Sequence, residues 1–129
     1  MKKAKQIIGG PYISRGRVLS ISKAVRAGDY VFLTGVLPRT GDQPMTEGTI
    51  EDQTHRVCQT IKDVLAEAGC EMSDVVKAMV WLKNREDFPG FNAVFGEYFP
   101  KYPPARSAVL NELLLDVRVE VEVIAYRPE

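Results

Sequence analysis

The chain has 129 residues, 45% of them hydrophobic and 26% charged, with 17 basic side chains against 17 acidic ones. That length predicts one domain, residues 1–129, with a core that needs neither metal nor disulfide. Balanced charge offers no field to gather nucleic acid, and no apolar run approaches the ~20 residues of a membrane span. Met1-Lys2-Lys3 begins like a signal peptide, but Ile7-Ile8 runs straight into Gly9-Gly10-Pro11, so the reading is a soluble cytoplasmic protein. Cys58 and Cys70 match no metal-ligand spacing and read as free thiols of a reducing compartment. The single histidine, His55, rules out a multi-histidine metal site and reads as a solvated helix residue among Glu51, Asp52 and Arg56.

Residues 1–16 read as a loosely structured arm or an edge strand, broken by glycine and proline. Arg17 to Val25 predicts a strand, Arg26 to Asp29 a turn, and Tyr30 to Thr34 a β-branched and aromatic strand ending at Gly35. Pro38 to Gly48 is a polar loop. Thr49 opens a helix with a near capping box to Asp52, apolar residues recur at Val57, Ile61, Val64, Leu65 and Ala68, and Gly69 stops it. Val75 to Leu82 predicts a strand apolar on both faces, with Trp81 taken as core. Phe88-Pro89-Gly90 opens a second helix, carrying Phe91, Val94, Phe95 and Tyr98 on one stripe until Pro100. Asn92 falls off that stripe.

The final stretch holds the chemistry. Pro103-Pro104-Ala105-Arg106 leads stiffly into one strand, and Val117 to Ala125 alternates apolar and charged residues through a second. The two read as an antiparallel, hairpin-like pair with Arg106 near Glu120 or sharing a cleft with it. A guanidinium there grips a carboxylate with two parallel N–H bonds. Spacing alone favours a plain cross-strand salt bridge from Arg106 to Glu120 or Glu122. A carboxylate in a partly dry cleft can hold and deprotonate a water, and spacing does not decide between Glu120 and Glu122.

The resulting order is β-β-α-β-α-β-β, an α+β layer in which a mixed sheet carries two helices on one face. Val31, Leu33, Val75, Met79 and Trp81 suggest that the other face is partly apolar, which predicts a symmetric oligomer.

The chain resembles the RidA (YjgF-like) reactive-intermediate deaminases from about Ser22 to Ala125. The residues that carry the likeness begin with Ala24 to Gly35, Leu65-Ala66-Glu67-Ala68-Gly69 and Asp74-Val75-Val76-Lys77. They continue with Asp87-Phe88, Phe91-Asn92, Pro104-Ala105-Arg106-Ser107 and Val119 to Ala125. The resemblance implies a chorismate-mutase-like fold and a homotrimer with clefts between subunits. It implies cofactor-free hydrolysis of enamines and imines of the 2-aminoacrylate type to 2-oxo acids and ammonia. The implied partner is a small carboxylate substrate, while the charge balance, the hydropathy and the single histidine argue for no nucleic acid, no membrane and no metal site.

By position, the resemblance makes Arg106 the clamp for the substrate carboxylate and Glu120 the group that orients water. It also brings Asn92 to the cleft, Gly35 to the pocket lining and the backbone N–H of Ala108 to the substrate carboxylate. Two positions depart. Ile21 stands where many relatives carry a cleft tyrosine, and Ala108 where many carry cysteine. Gly10-Pro11-Tyr12 lies too far from Gly35 in sequence to be that tyrosine's element. Two other readings follow from these features: a trimeric module that binds small metabolites or acts like a chaperone without turnover, and a pathway-specific deaminase of the aminomuconate or aminoacrylate type. A ribonuclease reading has one histidine and no basic patch to support it.

Overall fold

The computed structural model describes residues 5–129. The start of the predicted arm, with Met1-Lys2-Lys3, lies outside the described residues. In chain order the elements are β1 (Gln6–Ser14), β2 (Arg17–Ala27), β3 (Tyr30–Leu33), β4 (Arg39–Thr40), β5 (Gln43–Pro44), α1 (Ile50–Glu67), β6 (Val75–Leu82), α2 (Phe88–Tyr98), β7 (Ala105–Leu110) and β8 (Val119–Tyr126). A six-stranded mixed sheet runs β1-β2-β3-β8-β6-β7, and β4 and β5 form a separate small hairpin.

The sheet has two unlike faces because β8 alternates. Val119, Val121, Val123 and Ala125 are buried, while Glu120, Glu122, Ile124 and Tyr126 face the other way, half-buried or exposed. The buried set meets Ala78, Val80 and Leu82 of β6, Val31 and Leu33 of β3, and Ala24 of β2. Both helices cover this side, α1 through Val57, Cys58, Ile61 and Leu65, and α2 through Phe91 and Phe95. Fully burying one such side chain stabilises the fold by about 1.5–3 kcal/mol. The predicted helix start is present in full: the Thr49 hydroxyl accepts from the Asp52 N–H, and the Asp52 carboxylate accepts from the Thr49 N–H. Gly69 closes α1 at φ +76°, a left-handed conformation that suits glycine.

One expectation is narrowed and three change. The arm takes its edge-strand form along its described length, since β1 lies at the sheet's edge and pairs antiparallel with β2 across a turn at Arg15-Gly16, both at positive φ. Next, β7 and β8 are not a hairpin. The first pairs parallel with β6, and β8 lies on the other side of β6, between it and β3. The connection crosses the end of β6, held by Asn111 N–H to Leu82 O and Lys83 N–H to Arg118 O. Third, of the residues named for the open face only Met79 and Trp81 lie on it. Val31 and Leu33 point to the core, and so does Val75, because a bulge at Val76 turns it inward and leaves Val76 exposed. Tyr30, Phe32, Ile124 and Tyr126 join Met79 and Trp81 on the open face, with Tyr30 and Tyr126 rings 5.2 Å apart. Finally, Trp81 is half-buried on that open face, outside the helix-side core.

Gln53 ties three segments together. It is fully buried in α1, and its Nε2 donates to Met45 O and Glu47 O at 3.0 and 3.2 Å. Its Oε1 accepts from the Arg118 N–H at 2.8 Å, one residue before β8 begins. Replacing it with an apolar side chain leaves buried backbone groups unpaired. Gln53→Leu is therefore expected to lose about 2–3 kcal/mol, read as a lower urea midpoint at unchanged slope.

Candidate active site

The sequence-predicted residues fall into two groups on opposite sides of the sheet. Arg106 lies on the helix side of edge strand β7. Its register partner on β6 is Ala78, which is fully buried under the helices. The guanidinium carbon sits 5.0, 5.4 and 5.7 Å from the ring centroids of Phe95, Phe91 and Phe88. Such faces attract a cation without satisfying its N–H groups. Arg26, Arg39, Arg118 and Arg127 all donate side-chain hydrogen bonds, whereas Arg106 donates none among the described residues. Nor does it join the ion pairs of the described residues, so the cross-strand salt bridge to Glu120 or Glu122 is not formed. Burial against the rings pulls its pKa below the ordinary arginine value.

Asn92 is half-buried on α2, four residues after Phe88 and three before Phe95, so it shares the helix face that Arg106 lies against. Ala108 is exposed two residues beyond Arg106, on the same face of β7. With Leu82, Phe88, Val109 and Leu110 it lines a shallow recess of about 360 Å3.

Glu120, Gly35 and Ile21 meet on the open side. They line one cavity of about 640 Å3, with Tyr12, Thr34, Leu37 and Arg39 among its walls. Glu120 pairs in register with Trp81 on the face away from the helices. Val36 and Val121 exchange backbone hydrogen bonds of 2.8 and 3.0 Å, which presses the Gly35 loop onto β8 beside Glu120. A methyl on Gly35 would collide with Glu120 Oε2, so only glycine leaves that carboxylate its place. Burial pushes the Glu120 carboxyl above the ordinary range, and the charge of Glu122 pushes it further. Glu122 itself is exposed and is not part of the cavity wall.

Three residues with a part in this arrangement are not among the sequence's candidate site residues. Tyr12 reaches the same cavity as Ile21 because the β1–β2 hairpin sets it opposite Leu19. The signal was the Arg15-Gly16 turn between two apolar runs. Arg39 accompanies it, donating from Nε to the Tyr12 hydroxyl at 2.9 Å. Asp87, buried at the start of α2, pairs with Arg118 at 3.2 Å and fixes the Phe88 end of that helix against the start of β8. No group of metal-ligating side chains is present among the described residues. His55 is exposed, with Nδ1 3.1 Å from the Tyr98 hydroxyl, far from any role above. The thiols are free, and burial raises Cys58 to about 12, which keeps it inert.

These residues sit in a recognisable lineage. The family model described as endoribonuclease L-PSP matches residues 18–127, and the chain belongs to that family, the RidA (YjgF-like) proteins. A RutC family protein of Pyrococcus horikoshii is 42% identical over 110 residues, 82% of this chain and 86% of that protein. A protein of Dermatophagoides farinae named 2-iminobutanoate/2-iminopropanoate deaminase is 37% identical over 124 residues, 93% of this chain and 94% of its own. The crystal structure of yeast Mmf1, at 31% identity, matches with a TM-score of 0.86 over 95% of this chain and 98% of that one. Its sequence is named mitochondrial, so family membership does not carry a cytoplasmic address. No helix of the described residues is long and apolar enough to cross a membrane.

The raised Glu120 carboxyl gives two measurements. If Glu120 acts as carboxylate, activity falls as pH drops through its raised pKa, so the acid limb of kcat/KM lies above the ordinary carboxylate range of about 4.3. Glu122→Gln removes the neighbouring charge and moves that limb to lower pH. Stability has the opposite sign. A carboxyl with a raised folded pKa destabilises the native state as pH rises from the unfolded value through the folded one. Glu120→Gln should therefore melt above the wild type at pH 7, with the gap closing below the ordinary carboxylate pKa.

Proposed function

We infer that the protein hydrolyses reactive 2-imino and 2-enamino acids to 2-oxo acids and ammonia, in clefts formed between subunits of a homotrimer. One observation carries this reading: a half-buried guanidinium on three phenyl rings, with no described partner for its N–H groups. Such a group favours an anion that brings its own oxygens, and a planar carboxylate fits the fork. Within one chain Glu120 faces the opposite side of the sheet from Arg106. A site that uses both therefore takes Arg106 from one subunit and Glu120 from its neighbour. The uncovered aromatic face of Tyr30, Phe32 and Tyr126 supports such an association.

In this cleft Arg106 holds the substrate carboxylate, with Asn92 and the Ala108 backbone beside it. Glu120 accepts a proton from water as the water oxygen bonds to the imine carbon. That proton passes to the imine nitrogen to give the carbinolamine, which collapses as its hydroxyl proton moves to nitrogen and the C–N bond breaks, releasing ammonia and leaving the carbonyl. An enamine first takes a proton at carbon to become the imine. The imine carbon is already electrophilic, so clamping and placing water supply much of the acceleration. No cofactor enters these steps. The reading draws on the relative named as a deaminase, and the buried free thiols suit a reducing compartment, cytoplasmic or organellar.

A coupled assay tests it. An amino-acid oxidase generates imino acids in place, and semicarbazide traps those not hydrolysed. Wild type should suppress trapping, and Arg106→Ala should lose about a hundredfold or more in kcat/KM. Refolding Arg106→Ala and Glu120→Gln chains together in equal amounts should restore about a quarter of wild-type activity, because each mixed trimer rebuilds some clefts from two intact halves. Trimers that suppress no trapping would favour the metabolite-binding module, and mixed trimers without recovery would place Arg106 and Glu120 in separate sites.

A further inference from the structure

The cavity beside Glu120 is more basic than hydrolysis of a small imino acid requires. Its lining brings Arg15, Arg17 and Arg39 together with one carboxylate, Glu120. Arg39 is the best held of the three. Its Nε donates to the Tyr12 hydroxyl at 2.9 Å, and Nη1 donates to Ser14 Oγ at 3.0 Å and to Asp42 O at 3.4 Å. Its guanidinium carbon lies 5.2 Å from the Tyr12 ring centroid. Every one of these acceptors is neutral, and Nη2 has no partner among the described residues. The nearby Asp42 carboxylate is occupied at the two hairpin tips, where Oδ2 accepts the Gly16 N–H at 2.7 Å and Oδ1 accepts from Gln43 Nε2 at 3.1 Å. None of the described ion pairs includes Arg15, Arg17 or Arg39.

A guanidinium fixed on one edge and free on the other is preorganised for an anion. The deaminase reading already assigns the substrate's 2-carboxylate to Arg106. We propose that Arg39, flanked by Arg15 and Arg17, forms a second anion subsite, so that preferred substrates are imino acids whose side chain ends in another carboxylate. This rests on the deaminase reading for the reaction, and adds the substrate class. Tyr12 is a positioning residue here: the family's cleft phenol is absent at Ile21, and the phenol supplied by β1 is spent on orienting Arg39.

The stable 2-oxo acid products separate the subsite from turnover. Calorimetric titration of the assembled protein would compare 2-oxoglutarate with 2-oxopentanoate, which has the same chain length and no second carboxylate. Wild type should bind 2-oxoglutarate about tenfold or more tightly. Arg39→Leu should abolish the preference and leave 2-oxopentanoate binding within about twofold. Arg17→Leu, at an exposed position outside the hairpin-tip bonds, should reduce the preference severalfold and covers the case in which Arg39→Leu does not fold. Equal binding of the two acids, no binding of either, or equal weakening of both by Arg39→Leu would overturn the subsite. Inorganic phosphate displacing 2-oxoglutarate better than succinate does would overturn it too, by giving the arginines to phosphate. Equal affinities with intact turnover of monocarboxylic imines sink the subsite alone. Arg39-dependent 2-oxoglutarate binding without turnover of any imine sinks the deaminase and leaves the subsite standing.

Discussion

Strand β8 lies between β3 and β6, and its alternation has to satisfy two environments at once. Val119, Val121, Val123 and Ala125 must reach the helices, because that side excludes water. A period of two then forces Glu120, Glu122 and Ile124 to the other side. The carboxylate in the cavity is thus fixed by core packing, and a slip of one residue would bury two carboxylates, Glu120 and Glu122. The supports converge on the same strand. Gln53 holds the Arg118 backbone, Asp87 holds the Arg118 side chain, and Val36 pairs with Val121. The Val36 support leads to Gly35 in the cavity wall and the Asp87 support to Phe88 beside Arg106.

Local pattern carried much of this into the sequence. The α1 capping box, the Gly69 stop and the bounds of β6 follow from short-range chemistry, and they appear where the residues place them. The pairing of β7 did not follow. An antiparallel hairpin and a parallel strand behind a helical crossover use the same apolar runs, and only the path of the connection distinguishes them. Here residues 111–118 bridge the end of β6, and nothing in their composition states which strand they cross. The site residues were legible as types, yet their division between faces depended on that same unread pairing. Tyr12 was missed for a related reason: closeness to Gly35 was judged along the chain, while a hairpin brings Tyr12 back over Leu19.

Unpaired charge is the common feature of the two arginine environments, and it has a cost. A guanidinium removed from water without an acceptor loses hydration that ring faces only partly replace. The fold could have supplied a carboxylate to each, as it does for Arg118 and Arg127. It supplies Phe88, Phe91 and Phe95 to Arg106, and neutral oxygens to Arg39. Stability would favour the paired arrangement at either position, so leaving both open favours a ligand that carries the missing charge.

Asp42 makes the point for Arg39 most directly. It contributes its backbone carbonyl to the guanidinium and turns its carboxylate to the Gly16 N–H and the Gln43 amide instead. The Arg15 N–H also donates to the Asp42 carbonyl, so this one residue latches the tip of β1–β2 to the tip of β4–β5. A rotation of that side chain toward Arg39 would gain a charge pair and release the Gly16 N–H, weakening the latch. Neutralising Arg39 from within thus competes with closing the two hairpins. Holding the hairpins together keeps the cavity wall in place and, by the same bonds, keeps its arginine uncompensated.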